Sequence, residues 1–296
     1  MKNSLMKAGL IMEKKKYAVI GHPIGHTMSP FIHKRLFEFE GIDADYSVYD
    51  ITPEELTIKY KEKLKHLDGY NITIPHKQTI IPLLNCLDKK AEMYGSVNTV
   101  KNSDGIAKGF TTDPNGFLKA LEANDIPLKR NVVIVGTGGV ARVMAFEAAI
   151  AGCALTIAVR ESDLHDVAAL AAELKLKVAG VSVDTCKISR LDHFEKSTID
   201  LLINATPVGM YPNEDACPIE DDVISKCANV FDAIYNPLET TLVKKAKANG
   251  AKAIGGISML VWQAVVSHEI WNGTTFNKED IDKLCIDSAQ ELKKTF

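Results

Sequence analysis

Residues 131–135, NVVIV, carry an unbroken apolar run after Asn131. Apolarity that is continuous rather than alternating marks a strand covered on both faces, as in a parallel sheet. The run passes directly into Gly136–Arg142, GTGGVAR, then into a helical pattern reaching Ala151 and a second apolar run over 155–159, LTIAV. Strand, glycine turn, helix and strand in that order make a βαβ unit. Gly136, Gly138 and Gly139 would let the backbone approach a phosphate closely. The helix N-terminus adds unpaired N–H groups and a partial positive charge. The unit therefore suits a dinucleotide pyrophosphate, and a tight turn without a ligand is the competing reading.

The rest of the chain repeats the alternation and predicts an α/β protein with largely parallel sheet. Strands are expected at 17–20, 46–49, 72–74, 201–204 and 230–233. Ser29 as N-cap and Pro30 at the first helical position open a helix whose apolar face carries Phe31, Leu36 and Phe37. Further helices are expected over 53–65, from His76 to about Cys86 with Pro82 able to split it, over 258–271 and over 277–294. In NITIPHK, residues 71–77, the β-branched run favours extended chain, and Pro75 cannot donate to a ladder. The strand should end there, with Lys77 projecting from its C-terminal end, where ligands bind in open α/β sheets. GFTTDPNGF, residues 109–117, reads as a connection at a domain boundary.

Composition narrows the function. Apolar residues make up 46% and charged residues 25% of 296, a globular profile, and a formal charge of −3 gives no reason to expect nucleic acid or an acidic membrane as partner. No stretch is apolar for the roughly 18 residues a membrane span needs. Residues 1–15 lack a secretory pattern and read as an N-terminal extension. The six scattered cysteines form no CxxC and no zinc spacing, which points to reduced thiols in a cytoplasmic protein and to no metal. His22, His26, His33 and His76 lack ligand spacing and read as structural or solvated.

Reduction of a carbonyl by a nicotinamide asks the protein to orient the substrate and deliver one proton. A lysine ammonium can do both, and a neighbouring carboxylate would hold it and favour its charged form. Lys77 and Asp113 are candidates for that pair, although spacing alone does not bring them together. At the tip of the second apolar strand an acid would accept from a free ribose 2′-hydroxyl, whereas an arginine would pair with a 2′-phosphate. Arg160-Glu161 offers both.

Seven stretches in order, GHPIGHTMSPFIH, NITIPHK, GSVNTV, GFTTDPNGF, VGTGGVAR, NATPVGM and GGISMLVWQA, resemble the shikimate dehydrogenase family, including its quinate/shikimate branch, from Tyr17 onward. The resemblance implies a substrate-binding α/β domain over 16–114, a Rossmann-type dinucleotide domain over 115–255, and C-terminal helices over 256–296 packing back on the first domain. It implies reversible hydride transfer between NADP (or NAD) and C3 of shikimate, in chorismate and aromatic amino-acid biosynthesis. Lys77 would be the acid/base and Asp113 its partner. Thr27 and Ser29 would hold the substrate carboxylate with Tyr235 beside it, and Thr73, Asn98 and Gln263 the ring hydroxyls. Gly136, Gly138, Gly139, Val140, Arg160 and Glu161 would line the dinucleotide, with Thr206, Met210 and Gly256 flanking the nicotinamide. Self-association as a homodimer is left open.

Three departures bear on specificity. Thr27 stands where the family usually has serine, which leaves quinate open as a substrate. Thr111 replaces an asparagine beside Asp113. Glu161 follows Arg160 where threonine is usual, so either NADP binds with Glu161 turned away or NAD is used. A non-catalytic ligand-binding regulator of the same fold is the alternative from another class. A regulator would have no need of Lys77 and Asp113.

Overall fold

The computed structural model describes residues 14–25, 27–193 and 199–295. The first half contains β1 (Lys15–Gly21), α1 (Ser29–Glu40), β2 (Ala44–Asp50), α2 (Leu56–Glu62), β3 (Gly69–Ile72), α3 (His76–Thr79), β4 (Cys86–Leu87), α4 (Lys89–Tyr94), β5 (Thr99–Ser103) and β6 (Ile106–Phe110). Helix α5 (Asp113–Ala123) leads to β7 (Asn131–Val135), α6 (Gly139–Ile150), β8 (Ala154–Val159), α7 (Leu164–Lys177), β9 (Ser182–Lys187) and β10 (Leu201–Asn204). Then come α8 (Asp221–Ile224), β11 (Asn229–Asp232), α9 (Thr241–Ala248), β12 (Lys252–Ile254), α10 (Ile257–Asn272) and α11 (Lys278–Thr295).

The second sheet runs β12-β11-β10-β7-β8-β9 with every pairing parallel. Its continuous apolar strands are explained by cover on both faces. Val132 and Ile134 of β7 join a core with Val143 and Phe146 of α6, while Val133 and Val135 face Leu242 and Val243 of α9. The strand order reverses between β7 and β10, the point where open α/β sheets bind ligands.

The first sheet runs β2-β1-β3-β5-β6-β4 and is mixed. β5 is antiparallel to both β3 and β6, a reversal not expected from the strand–helix alternation. β5 and β6 form a hairpin through Asp104 and Gly105, both at positive φ. GFTTDPNGF is consequently no simple connection: its start ends β6 and its Asp113 opens α5.

Local boundaries differ from expectation for identifiable reasons. β1 begins at Lys15, inside the expected extension, and residues 1–13 of that extension lie outside the described residues. β3 stops at Ile72 rather than reaching Pro75, because the His76 amide bonds back to the Thr73 carbonyl and turns the chain. Lys77 therefore sits in the short α3. The stretch from His76 to Cys86 divides into α3, a 3₁₀ turn over Ile81–Leu83 and β4. The helix expected over 53–65 is α2 with a 3₁₀ turn over Leu64–His66. Ser29 is the first helical residue and not the N-cap; the Thr27 hydroxyl accepts from its amide at 3.2 Å.

The C-terminal helices pack on the first half. Met28, Ile32 and Leu36 at α1 share a core with Val261 and Val265 of α10 and Leu284 and Leu292 of α11. Each such fully buried side chain contributes about 1.5–3 kcal/mol. Trp271 of α10 donates its indole N–H to the Val100 carbonyl at 2.9 Å, and its ring covers Gly69. A Cβ on Gly69 would stand 2.4 Å from Trp271 Nε1. Gly69→Ala is therefore expected to displace the indole and cost about 2–4 kcal/mol from overpacking and a strained hydrogen bond. The shift of the urea midpoint measures it, and an unchanged midpoint would contradict this packing. Among the described residues no helix is long and apolar enough to cross a membrane.

Candidate active site

Lys77 and Asp113 meet. Nζ of Lys77 donates to Oδ2 of Asp113 at 2.6 Å, with the lysine side chain 12% exposed and the carboxylate 0%. Two local features produce the encounter. The turn at Thr73–His76 swings Lys77 off the end of β3, and the Lys77 carbonyl accepts from the Val97 amide, tying α3 to GSVNTV. Asp113 opens α5, where a carboxylate is favourable next to the helix N-terminus.

The carboxylate is held from its other side. Asn98 Nδ2 donates to Asp113 Oδ1 and to Thr112 Oγ1, each at 3.0 Å, and Asn98 Oδ1 accepts from the Thr112 amide at 2.8 Å. Behind Asn98, Thr99 Oγ1 lies 2.9 Å from Ser267 Oγ, and Asn71 Nδ2 donates to both hydroxyls. Tyr46 donates to Asn71 Oδ1 at 2.8 Å. Burial pushes the Tyr46 phenol up, and a hydrogen bond with Ser29 works in the other direction. This polar lattice joins five segments, at Tyr46, Asn71, Asn98–Thr99, Thr112–Asp113 and Ser267, and fixes Asp113 against Lys77. Asn71, Thr99, Thr112 and Ser267 were not singled out from the sequence. A buried asparagine beside a buried threonine becomes informative only once the antiparallel β3–β5 pairing is known.

The other candidates fall in several places. Thr27 donates to Ser29 Oγ at 3.2 Å, so these two hydroxyls form a pair at the start of α1. Thr73 follows β3 and packs its methyl against Gly21, where an added Cβ would lie 2.5 Å from Thr73 Cγ2. Gln263 lies on α10 against Gly116 of α5, on the helix face next to Asp113's own helix. Tyr235 packs into the cluster of Met28, Val261 and Ala264, and burial raises its phenol. His33 is fully enclosed and bonds His268, whereas His22 pairs with Asp50, so neither belongs to this group. His26 lies outside the described residues.

The glycine turn borders the pair directly. A Cβ on Gly139 would be 3.7 Å from Lys77 Cδ and 3.9 Å from Ser96 Oγ, so the N-terminus of α6 abuts the lysine. Gly136 has φ 111° and sits against Thr206 and the Ala205 carbonyl at the end of β10. Only glycine adopts that backbone without strain. Around Gly138 an added Cβ would meet nothing within 4 Å, leaving room above the helix end; Val140 follows in the first turn of α6. The cradle and the open helix N-terminus suit a pyrophosphate.

Thr206 is fixed by Asn204, whose Oδ1 accepts from its amide at 3.1 Å and its hydroxyl at 2.7 Å. Asn204 is fixed in turn by Asp232 at 3.0 Å. Burial pushes the Asp232 carboxyl up to about 6, against hydrogen bonds from Thr240, the Ile234 amide and Asn204 that draw it down. Met210 is exposed on the same loop. Gly256 caps α10 where a Cβ would stand 2.3 Å from the Ala233 carbonyl oxygen, so a side chain is excluded there. Arg160 and Glu161, at the tip of β8, lie away from the Lys77–Asp113 pair in sequence and sheet position.

No group of three or more potential metal ligands occurs among the described residues. Residues 19–100 match the family model for the shikimate dehydrogenase substrate binding domain. The chain is 40% identical over 278 residues to the NADP(+) shikimate dehydrogenase of Methanocaldococcus jannaschii, covering 92% of this chain and 96% of that one. It is similar to a crystal structure of a shikimate dehydrogenase in complex with NADP+, at 38% identity and TM-score 0.84 over 93% of this chain and 96% of the other. It is also similar to a Thermus thermophilus shikimate 5-dehydrogenase bound to NADP(H) and shikimate, at 31% identity and TM-score 0.81 over 93% and 99%.

Proposed function

Since the chain belongs to the shikimate dehydrogenase family, we propose that it interconverts shikimate and 3-dehydroshikimate with NADP(H), Lys77 acting as acid/base with Asp113 as partner. The buried Lys77–Asp113 ion pair against the glycine turn carries this reading. The related proteins whose structures hold NADP+ or NADP(H) with shikimate support the choice of substrate and cofactor. The cofactor-facing residues fit: Gly136, Gly138 and Gly139 leave the pyrophosphate space, and Arg160 is a cation at the adenosine end.

A bound nicotinamide supplies or accepts the hydride. The chain does the rest. In the reducing direction the Lys77 ammonium faces the substrate C3 carbonyl, stabilises the charge growing on its oxygen and gives it a proton. In the oxidising direction the Lys77 amine takes the hydroxyl proton. Asp113 keeps Nζ in one position through both, and it is prevented from turning by Asn98. Thr27 and Ser29 bind the carboxylate, with Tyr235 beside it. Thr73, Asn98 and Gln263 meet the ring hydroxyls, and a site built to hydrogen-bond each hydroxyl rejects analogues lacking one. Thr206, Met210 and Gly256 border the nicotinamide. Six unpaired thiols support a reducing compartment, the cytoplasm, where the reaction would serve chorismate and aromatic amino-acid biosynthesis.

Thr27 favours one second reading, acceptance of quinate, because its methyl reshapes the carboxylate end. Initial rates with shikimate and quinate, each against NADP+ and NAD+, decide. The expected result is highest kcat/KM for shikimate with NADP+. Higher kcat/KM with quinate or NAD+ would transfer the assignment to the quinate/shikimate branch, and no turnover in any combination would favour a binding protein.

A further inference from the structure

The tip of β8 carries a charge arrangement that neither the family resemblance nor the glycine turn anticipates. Arg160 donates from Nε and Nη2 to the two oxygens of Asp163, at 2.9 and 3.3 Å. Glu161, the acid expected to repel a 2′-phosphate, is ion-paired with Nζ of Lys187. Lys187 is the last residue of β9, and the parallel register sets it opposite Val159, the residue before Arg160. Two cations and two acids thus cluster at one sheet corner, with a net charge of zero.

We propose that Lys187 is a specificity-determining residue for the cofactor: it neutralises Glu161 and is the second cation of a 2′-phosphate site whose first is Arg160. This rests on the NADP reading above. Without Lys187 the cluster would carry one cation against two acids, a net −1 facing a phosphate of about −2. With it, both cations can turn onto the phosphate and release both acids to solvent. Releasing Glu161 is cheap because it is 78% and Lys187 40% exposed, and exposed ion pairs contribute only about 0–1 kcal/mol; Arg160, itself 76% exposed, turns from a less exposed Asp163.

Binding of fragments separates this from turnover. Calorimetry on the full chain compares adenosine 2′,5′-bisphosphate with adenosine 5′-monophosphate, which lacks only the 2′-phosphate. The wild-type protein should prefer the bisphosphate. Lys187→Met should weaken bisphosphate binding about tenfold relative to the monophosphate, Lys187→Arg should stay within about threefold of wild type, and Glu161→Gln in the Lys187→Met background should recover part of the loss. A preference unchanged in Lys187→Met overturns the role of Lys187 and leaves the NADP reading standing. A wild-type protein with no preference for the bisphosphate overturns both.

Discussion

Lys77→Ala is expected to lower kcat for shikimate oxidation by about 10³-fold, the scale of a lost, positioned general base. Shikimate binding should change less than about tenfold, because Thr27, Ser29, Thr73 and Gln263 are untouched. Steady-state rates with NADP+ and calorimetric titration with shikimate give the two numbers. The substitution also leaves Asp113 as a buried carboxylate with Asn98 as its remaining side-chain partner. Breaking a buried pair this way costs about 3–5 kcal/mol, whereas removing both charges can be close to neutral. Lys77→Met combined with Asp113→Asn therefore controls for folding: it should melt nearer the wild type than Lys77→Ala and still fail to turn over. Wild-type turnover in Lys77→Ala would remove the lysine from the chemistry.

Asp113→Asn should fail for a different reason. One carboxylate oxygen accepts from Lys77 and the other from Asn98. An asparagine keeps one acceptor and presents an N–H₂ to whichever donor is left. That leaves two donors opposed in a site that excludes water, at a cost of about 1–3 kcal/mol or more with a charged partner. Lys77 then loses its fixed position. The expectation is a fall in kcat of about 10²-fold or more, with KM for shikimate changed much less, and a lower urea midpoint. If kcat holds while only the midpoint falls, Asp113 is a structural residue.

The parallel second sheet was legible because burial on both faces leaves a direct trace, continuous apolar runs such as 132–135 and 201–203. The antiparallel β5–β6 hairpin was not, since Thr99–Ser103 is short and mostly polar, Ile106–Phe110 is short and interrupted by Lys108-Gly109, and the two turn through Asp104-Gly105. That hairpin is what sets Asn98 and Thr112 around Asp113, so the inner polar lattice was hidden with it. Lys77 and Asp113 could be named as a pair from chemistry and resemblance, but 35 intervening residues carry no trace of a 2.6 Å contact; it depends on the turn at Thr73–His76 and on the start of α5. Glu161 was visible as an oddity beside Arg160. Its partner was not, because β9, a largely polar SVDTCK with only Val183 buried, has little of the apolar signal of its neighbours.

Product analysis decides whether Lys77 drives oxidation at C3. Purified wild-type protein and Lys77→Ala are each incubated with shikimate and NADP+, and the carbocycle is examined by NMR alongside NADPH formation. The expected product is one ketone, at C3, formed by the wild type in step with NADPH and almost absent with Lys77→Ala. A ketone at another carbon, no ketone from the wild type, or equal yields from the two proteins would contradict it.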